Sequence, residues 1–334
     1  MKSVYKVAAV QASPVFLDLE ATTDKACRII DEAASNGAEI IAMPEAFFPG
    51  YPYWTWIGDP SWGMQFYKRY YENAVTIPGP TISKISDAAR RNNVYVCISV
   101  TEKDRASLYL SQLWFDRKGN LMGKHRKIRP TLVERTIWGD GDGSMMQVYD
   151  TELGMLGGLQ CWEHLMSVNP LIMASMNEQV HVAAYPAFTW DERSINHYEC
   201  CRTCCKYYAM TTGTFVLLTS EVLSEKTIDI ICGDDEYKRS IYKPGYGAGA
   251  QIINPSGITI SNVVPVHEEG IAYADIDLNE IIEVKYKIDT AGHYSRGDIA
   301  TIHFDRTPHN AVSVHGDKVD YSIPYDKLHA NNTK

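Results

Sequence analysis

The sequence has no excess of positive charge, no apolar run of membrane-spanning length and no apolar leader at its N-terminus. Its formal net charge is −9, so nothing favours binding to nucleic acid or to an anionic membrane surface. No apolar run approaches the roughly 20 residues that a membrane helix needs, and residues 1–6 lack the apolar core of a signal peptide. We therefore predict no membrane or nucleic-acid partner, and a cytoplasmic location.

The features of a disulfide-stabilised secreted domain are also missing. The chain has 334 residues and eight cysteines, and without a secretion signal we expect these thiols to be reduced. The composition, 45% hydrophobic and 22% charged, is that of an ordinary globular protein. Length alone would allow about two domains. Because no internal repeat or flexible linker appears, we predict one domain over residues 1–288 and a polar tail over residues 289–334.

Segments with strand and helix periods alternate from the start of the chain. Residues 7–10 form a short buried-strand pattern, residues 24–36 carry apolar side chains at helical spacing, and residues 40–43 are again strand-like. Thr22 or Thr23 is a candidate N-cap for the helix. This βαβ unit predicts an α/β domain.

Later segments predict a mixed rather than a purely parallel sheet. Residues 107–116 turn directly into residues 121–128, which predicts an antiparallel hairpin beside the helix-linked strands. Residues 224–239 are a polar excursion that follows the strand at residues 214–220. The remaining predicted elements are helices at 81–92 and 196–210, strands at 94–100, 179–186, 214–220 and 270–276, a hairpin at 250–260, and a short helix from Asn279.

Cys161 lies between an apolar run at residues 153–158, typical of a strand, and an apolar pattern at residues 165–174, typical of a helix. At such a junction backbone N–H groups converge and the helix dipole is positive. Both effects lower the pKa of a thiol. The sequence therefore predicts a reactive cysteine with a lowered pKa at this position.

Three other side chains are candidates to meet this sulfur. Glu45 follows the strand at residues 40–43, and the carboxyl ends of strands are where α/β folds bind ligands. Taken alone, such a glutamate is more often a surface loop residue. Lys127 belongs to a basic cluster that is usually a solvated rim, and the nearby Glu134 could pair with one of its cations.

An aromatic loop follows Glu45 at residues 47–56. Its prolines and glycine prevent a regular element, so the rings should lie on a loop. Tyr51 and Trp54 could form the wall of an apolar substrate pocket. A hydrophobic plug or a subunit contact is an equally good interpretation.

Two further patterns resemble phosphate or metal sites but lack essential residues. The segment 139–144 has neither the ending of a P-loop nor the distal glutamate of an EF-hand, so we predict a tight turn. Cys201 and Cys204 have CxxC spacing, but zinc normally needs two more ligands at matching spacing. With Cys200 and Cys205 they fall on one stripe of a helix, where small thiols are commonly buried. We therefore predict packing rather than metal binding.

Several of these motifs, taken in order, resemble those of nitrilases in the carbon–nitrogen hydrolase superfamily. The likeness covers most of residues 5–305. The continuation Trp162-Glu163-His164 and the Pro-Gly-Tyr-Pro loop indicate the nitrilase branch rather than the amidases, with arylacetonitrile- and cyanide-degrading bacterial members most similar. The matching motifs lie at residues 44–47, 125–127, 133–135, 158–164, 177–183 and 291–295.

The resemblance implies a four-layer αββα sandwich and a Glu-Lys-Cys triad. Carried over to this chain, Cys161 is the nucleophile, Glu45 the general base and acid, and Lys127 the cation at the reacting centre. Glu134 matches an additional, orienting glutamate. No metal or organic cofactor is implied. Lys127 and the backbone N–H of Trp162 are expected to stabilise the negative charge that develops on the substrate.

The implied reaction is hydrolysis of an arylaliphatic or aliphatic nitrile to a carboxylic acid and ammonia. Substrate contacts are expected from Tyr51, Trp54, Trp162 and Tyr185, whereas a short segment at residues 187–196 leaves the substrate size open. Cyanide hydration or hydrolysis and an amidase or acyltransferase on the same fold are alternatives. A further alternative is a non-enzymatic thiol or zinc protein built on the cysteine helix.

The resemblance also implies an assembly. Family members form homodimers through helices beside the active site, and the dimers extend into spirals. We expect the tail over residues 289–334 to take part in these contacts.

Overall fold

Strands and helices alternate along most of the computed structural model, which describes residues 2–188, 196–309, 312 and 316. The strands are β1 Val4–Ala12, β2 Ala38–Ala42, β3 Tyr95–Asp104, β4 Ser107–Phe115, β5 Leu121–Arg126, β6 Tyr149–Thr151, β7 Gly154–Gln160, β8 Val180–Tyr185, β9 Phe215–Glu221, β10 Gln251–Ile253 and β11 Gly270–Asp277. The α-helices are α1 Leu19–Ser35, α2 Pro60–Glu72, α3 Pro80–Asn92, α4 Asn169–Ser175, α5 His197–Thr212, α6 Glu225–Cys232, α7 Glu236–Ile241 and α8 Asn279–Lys287.

Hydrogen bonds join the strands in the order β5-β4-β3-β2-β1-β9-β8-β7-β6, with β10 added to β9 and β11 to β1. β1, β2 and β3 are parallel, whereas β3, β4 and β5 are antiparallel, so the sheet is mixed as predicted. One half of the sheet runs from β5 to β1 and the other from β9 to β6. The two halves are joined at the end of β1, where Gln11 pairs with Ser220 and Ala12 with Glu221.

The two halves of the sheet face each other across a shared apolar core. Val7 and Ala9 of β1 belong to the same buried cluster as Val182 of β8 and Leu217 of β9. Successive side chains of a strand point to opposite faces, so the intervening residues of β1 pack outward under α1 and α3. The outer face of the other half packs under α5. This arrangement is the predicted four-layer αββα sandwich.

The first helix begins earlier than the sequence pattern indicates. Asp18 is the N-cap of α1, and its carboxylate accepts a hydrogen bond from the backbone N–H of Ala21 at 2.9 Å. Thr22 and Thr23 are buried inside the helix, and the Thr22 hydroxyl donates to the carbonyl of Val15. The prediction of a threonine cap was wrong because the first turn precedes the apolar repeat.

Two short helices, α6 and α7, lie in and just beyond the polar segment 224–239, where the sequence predicted no helix. Ser224 caps α6 by accepting from the N–H of Thr227, and Asp235 caps α7 by accepting from the N–H of Lys238. Each helix is only about two turns long, so its apolar repeat is too short to stand out from a polar sequence.

The chain after α8 runs as an exposed arm of turns and irregular backbone over residues 289–309. The Thr290 hydroxyl donates to the carbonyl of Thr211 in α5, and the N–H of His309 donates to Asp142. The division at residue 288 and the role of the tail in assembly stay predictions. No helix in the described part of the chain is long and apolar enough to cross a bilayer.

Candidate active site

A fully buried ammonium group lies where three segments of the chain meet. Lys127 directly follows β5, and its Nζ lies 2.9 Å from Oε1 of Glu45, which follows β2. The same Nζ lies 2.9 Å from Oε2 of Glu134, in a 3-10 turn over Leu132–Thr136. An isolated buried charge is costly, but the two carboxyl groups compensate this one. The charges of Glu134 and Glu45 outweigh burial and raise the pKa of Lys127 well above its usual value.

Glu134 is held in place through both of its oxygens. Oε1 accepts a hydrogen bond from the hydroxyl of Tyr51 at 2.7 Å, and Oε2 accepts one from the backbone N–H of Thr131 at 2.6 Å as well as from Lys127. The Tyr51 hydroxyl in turn accepts from the indole N–H of Trp56 at 3.0 Å. With its acceptors engaged, Glu134 is suited to fixing the ammonium group rather than to moving protons.

Glu45 is bonded differently. Oε1 accepts from Lys127, while Oε2 is buried without a hydrogen-bond partner among the described residues. Burial raises the pKa of Glu45 to about 8; the charge of Lys127 opposes this shift and that of Glu134 adds to it. A carboxyl group that titrates near neutral pH and keeps one oxygen unpaired can accept a proton from one atom and return it to another.

Cys161 is the first residue of a 3-10 turn, Cys161–Leu165, that follows β7 directly. Its φ is +48°, a left-handed conformation that non-glycine residues rarely adopt and that costs roughly 1–3 kcal/mol. The backbone N–H of Gln160 donates to Glu163 at 2.8 Å, which fixes the end of β7. The strained backbone thus presents the sulfur from a firmly held strand end.

Glu163 connects the cysteine segment to the lysine segment. Besides the N–H of Gln160, it accepts the N–H of Ile128 at 2.8 Å and lies 3.0 Å from Nε2 of His125. Burial acts to raise the pKa of Glu163, but His125 and the two N–H groups outweigh it and lower the pKa. A charged Glu163 therefore fixes the strand ends that carry Cys161 and Lys127 relative to each other. The sequence alone predicts no such role for Glu163.

The expected lowering of the Cys161 thiol pKa is not what the structure gives. Burial and the negative charges of Glu45 and Glu134 raise this pKa well above its usual value, against the opposing effects of Lys127 and the Trp162 N–H. The expectation was wrong because it included the convergent N–H groups but neither the complete burial nor the two carboxyl groups. The resting sulfur is a thiol, and its proton must leave when it attacks.

The cavity at Cys161 has aromatic walls. Its described lining consists of Trp56, Thr131, Glu134, Cys161, Trp162, Phe188 and His197. The Phe188 ring meets the Trp56 and His197 rings edge-on, each at a centroid distance of 5.3 Å. His197 is held by a hydrogen bond between Nε2 and the carbonyl of Pro186 at 2.9 Å. Most of the segment 187–196, expected to affect substrate size, lies outside the described residues.

Of the four predicted substrate contacts, Trp162 lines the described part of this cavity. Tyr51 and Tyr185 are buried one layer behind it, where Tyr51 bonds to Glu134 and the Tyr185 ring stacks on His164 at 5.4 Å. Both support residues that line the cavity, because Tyr51 bonds to Glu134 and the Tyr185 ring contacts the His197 ring at a centroid distance of 6.2 Å. The sequence missed the lining residues Trp56 and Phe188, although Trp56 belongs to the aromatic loop that it singled out.

Trp54 does not line the described cavity. Its indole packs against Phe16, Phe66 and Tyr70 at centroid distances of 6.1, 5.5 and 5.0 Å. It also lines a separate groove beside α2. The sequence pattern does not predict α2, the helix that supplies the packing partners Phe66 and Tyr70 of Trp54.

The cysteine stripe on α5 packs as expected. Cys201, Cys204 and Cys205 are buried and Cys200 is half-buried. The Cys205 thiol donates to the Tyr185 hydroxyl at 3.8 Å. In the described part of the chain no three His, Cys, Asp or Glu side chains are placed to hold a metal ion.

A family model for carbon–nitrogen hydrolases matches residues 6–286 of this chain. The chain belongs to the carbon–nitrogen hydrolase family. It is 52% identical to the nitrilase of Bacillus sp. (strain OxB-1) over 98% of this chain and 96% of that protein. It is 43% identical to an aliphatic nitrilase of Rhodococcus rhodochrous over 92% of this chain and 81% of that protein. These relatives confirm the predicted nitrilase branch.

Solved structures of the superfamily share the fold. The NitFhit protein of C. elegans superposes with a TM-score of 0.72 at 18% sequence identity, covering 93% of this chain and 69% of that one. At this identity the likeness concerns the fold alone, and it confirms the predicted architecture.

Proposed function

We propose that this protein hydrolyses organic nitriles to carboxylic acids and ammonia, with Cys161 as the nucleophile. The observation that carries the proposal is the buried Lys127 held between Glu45 and Glu134 next to this cysteine. Relatives that are named nitrilases and match nearly the full length of the chain support the same reaction. The triad, the cavity and the family therefore point to one chemistry.

In the first half of the reaction the thiol adds to the nitrile carbon. Glu45, with its unpaired Oε2, takes the thiol proton as the sulfur–carbon bond forms and then delivers it to the nitrile nitrogen, which gives a thioimidate. Negative charge develops on this nitrogen. Lys127, whose charge is maintained by its two carboxyl partners, and the N–H of Trp162 supply the stabilisation.

In the second half two water molecules are consumed. Glu45 removes a proton from the first water as it adds to the thioimidate carbon, and delivers this proton to the nitrogen. It then carries the proton of the new hydroxyl group to the same nitrogen, so that ammonia leaves and a thioester remains. A second water, activated in the same way, releases the acid and returns the proton to the sulfur. Every proton passes through Glu45, one at a time, so no metal or organic cofactor is required.

The cavity walls favour an apolar substituent on the nitrile. Trp56, Trp162 and Phe188 line the described cavity at Cys161, and His197 forms a further part of its wall. Burial lowers the pKa of His197 to about 4, so this wall is uncharged at neutral pH. We propose arylaliphatic or aliphatic nitriles as substrates on this basis.

A nitrile panel with an ammonia readout tests the proposal. Phenylacetonitrile, an aliphatic nitrile, cyanide and the corresponding amides would be compared with the wild type, Cys161→Ala and the control Cys27→Ala. We expect ammonia from at least one organic nitrile, unchanged by Cys27→Ala, which alters a half-buried thiol of α1. Cys161→Ala should lower the rate by a factor on the order of 10⁴ or more while the fold persists.

Two outcomes would replace the proposal. Turnover of cyanide without any organic nitrile would identify a cyanide-hydrolysing enzyme, and turnover of amides without any nitrile would identify an amidase. Ammonia release by Cys161→Ala at the wild-type rate would exclude this sulfur as the nucleophile.

We also infer a homodimer that extends into larger assemblies. Apolar side chains lie exposed on α5, at Tyr207 and Met210, and on α8, at Ile282 and Tyr286. Contiguous exposed apolar groups mark interaction surfaces in soluble proteins. The exposed arm over residues 289–309 adds to this surface through Thr290, which is bonded to α5. Eight free cysteines are in keeping with the proposed cytoplasmic location.

A further inference from the structure

A continuous chain of buried hydrogen bonds begins at the backbone carbonyl of Cys161. Nδ1 of His164 lies 2.6 Å from this oxygen, and Nε2 of His164 lies 2.9 Å from Nε2 of His181. Nδ1 of His181 lies 2.8 Å from Oε1 of Glu178, whose Oε2 accepts from the Tyr208 hydroxyl at 2.5 Å. All four side chains are at most 3% exposed. None of them is required by the proton transfers described above.

The carbonyl end fixes the direction of every bond in this chain. A carbonyl oxygen only accepts, so Nδ1 of His164 must carry a proton and donate it. Burial and His181 lower the pKa of His164 to about 3, so the ring is neutral and its Nε2 must accept. His181 therefore donates from Nε2. One proton then remains for the hydrogen bond between Nδ1 of His181 and Oε1 of Glu178.

The bond at the carbonyl also sets the direction of a catalytic donor. The Cys161 carbonyl and the Trp162 N–H belong to one planar trans peptide, in which they point in opposite directions. Fixing the oxygen on His164 therefore fixes the N–H on the other side. That N–H acts on the Cys161 sulfur as a hydrogen-bond donor. It is also the backbone group proposed above to stabilise the charge on the substrate nitrogen.

The surrounding packing leaves room for this polar chain. A Cβ at Gly157 of β7 would lie 2.0 Å from Oε1 of Glu178, so a glycine there allows the carboxyl group to approach the strand. The His181 and Tyr208 rings stack at a centroid distance of 3.9 Å. Apolar side chains of similar volume would fill this space without the desolvation cost of buried polar groups. Packing alone therefore does not explain why these residues are polar.

We propose that Glu178, His181 and His164 form a positioning relay that holds the Cys161–Trp162 peptide and aims its N–H at the reacting centre. The proposal deepens the proposed function, because it takes Cys161 as the nucleophile. The relay moves no proton in the reaction. It keeps the strained Cys161 backbone in one orientation and connects that orientation to β8 and α5, which carry His181 and Tyr208.

Substitutions at the far end of the relay test the proposal without touching the cavity. Glu178→Leu removes both acceptors of the carboxyl group. Glu178→Gln keeps an N–H for His181 and an oxygen for Tyr208. Tyr208→Phe removes only the hydroxyl on Glu178, and Tyr5→Phe removes a comparable buried hydroxyl that donates to Leu153 in the core between the two halves of the sheet. The last variant is the matched control.

Three quantities would be measured for each variant. The first is kcat and KM on the best nitrile, per mole of reactive Cys161. The second is the pH dependence of Cys161 alkylation by iodoacetamide, followed by mass spectrometry of the Cys161 peptide. The third is the melting temperature. Alkylation reports the environment of the sulfur without turnover, so it remains informative if no nitrile is a substrate.

We expect Glu178→Leu to lower kcat on the order of tenfold with KM nearly unchanged, less than the ~10²–10³ that removing an oxyanion donor costs. Its alkylation profile should move to higher pH, because a misaimed Trp162 N–H stabilises the thiolate less. Glu178→Gln should restore most of kcat and of the profile. Tyr208→Phe should change kcat and the alkylation profile in the same direction as Glu178→Leu, but by a smaller amount. Tyr5→Phe should lower only the melting temperature.

The relay is excluded if Glu178→Leu lowers the melting temperature but leaves kcat per reactive sulfur and the alkylation profile as in the wild type. It is equally excluded if Glu178→Gln is as impaired as Glu178→Leu. If Glu178→Leu does not fold, Tyr208→Phe becomes the test of the proposal. A kcat and an alkylation profile of Tyr208→Phe equal to those of Tyr5→Phe would overturn it. A shifted alkylation profile in a protein that turns over no nitrile would keep the relay and reject the proposed function.

Discussion

At the scale of single residues, Glu45 and Cys161 have environments that oppose simple nucleophile activation. Burial raises the pKa of both groups, and the carboxyl groups near the sulfur raise that of the thiol further. A permanently ionised thiolate is therefore absent at neutral pH, and the base must be ionised when the thiol loses its proton. Lys127 acts to lower the pKa of both groups, because its positive charge stabilises the carboxylate and the thiolate alike. The reactivity resides in the group of residues rather than in a lowered thiol pKa.

The pH dependence of kcat/KM follows from the pKa of Glu45. The ionised carboxylate is the form that accepts the thiol proton, and its pKa is about 8. Activity should therefore rise with pH, by about ninefold from pH 6 to pH 7, and level off above pH 8. The measurement is kcat/KM on one nitrile from pH 5.5 to pH 9 in buffers of constant ionic strength.

Glu134→Gln is the companion variant for this profile. The charge of Glu134 contributes to the raised pKa of Glu45, so its removal should move the rising limb of the profile to lower pH while the maximum rate falls. A wild-type limb near pH 4.5, or one that Glu134→Gln leaves in place, would argue against Glu45 as the titrating base.

At the scale of elements, the site depends on how the ends of β2, β5 and β7 are held together. Glu163 provides one connection, since it accepts N–H groups from Gln160 and Ile128 and contacts His125. Lys127 provides another by bridging Glu45 and Glu134. Both connections join segments that are far apart in the sequence. Their loss should therefore affect fold and function together.

Glu163→Gln tests the first connection. A glutamine has one acceptor oxygen, and its amide N–H groups would face the N–H of Gln160 or of Ile128. Leaving a buried donor unpaired costs roughly 1–3 kcal/mol, so we expect a lower free energy of unfolding and a lower kcat. Urea unfolding and nitrile turnover measure the two effects.

Glu20→Gln is the charge-matched control for this variant. Glu20 lies in the exposed first turn of α1, and its contact with Lys84 is 3.8 Å long between exposed side chains. Its substitution should change stability by a few tenths of a kcal/mol at most. Equal effects of the two substitutions would show that Glu163 does not connect the strand ends.

The same elements show what the sequence could predict. Glu45, Lys127, Glu134 and Cys161 stood in recognisable motifs, and the structure brings the first three into direct contact beside the sulfur. The alternation of strand and helix patterns gave the α/β architecture because long apolar repeats dominate local structure. What a motif does not contain is the effect of burial, and for that reason the direction of the Cys161 pKa shift was wrong.

Side chains that act across the fold were harder to predict. The sequence places Glu163 only within a motif, because two of its three partners, His125 and Ile128, lie more than 30 residues earlier in the chain, in and just after β5. Glu178 and His181 likewise reach Cys161 only once β8 lies beside β7. The position of Trp54 outside the described cavity lining was unforeseen for the same reason, since α2 supplies its packing partners Phe66 and Tyr70.

At the scale of the whole molecule, the exposed apolar groups of α5 and α8 predict self-association. Tyr286 is 85% exposed and Ile282 68%, on a helix whose buried residue is Ile281. On α5, Tyr207 and Met210 are about half exposed. Covering these groups with a second copy removes apolar area from water, which is favourable by about 25 cal/mol per Å² before the cost of association.

Sedimentation of the purified chain measures this association. We expect the wild type to sediment as a dimer or a larger species over micromolar concentrations. Tyr286→Asp and Met210→Asp should each lower the average mass, because a carboxylate at the centre of an apolar interface must be desolvated without a partner. Met64→Asp is the matched control: Met64 is 63% exposed on α2, which packs against Trp54 instead of α5 or α8. A wild type that sediments as a monomer, or a Met64→Asp variant that dissociates as readily as Tyr286→Asp, would place the interface elsewhere or exclude it.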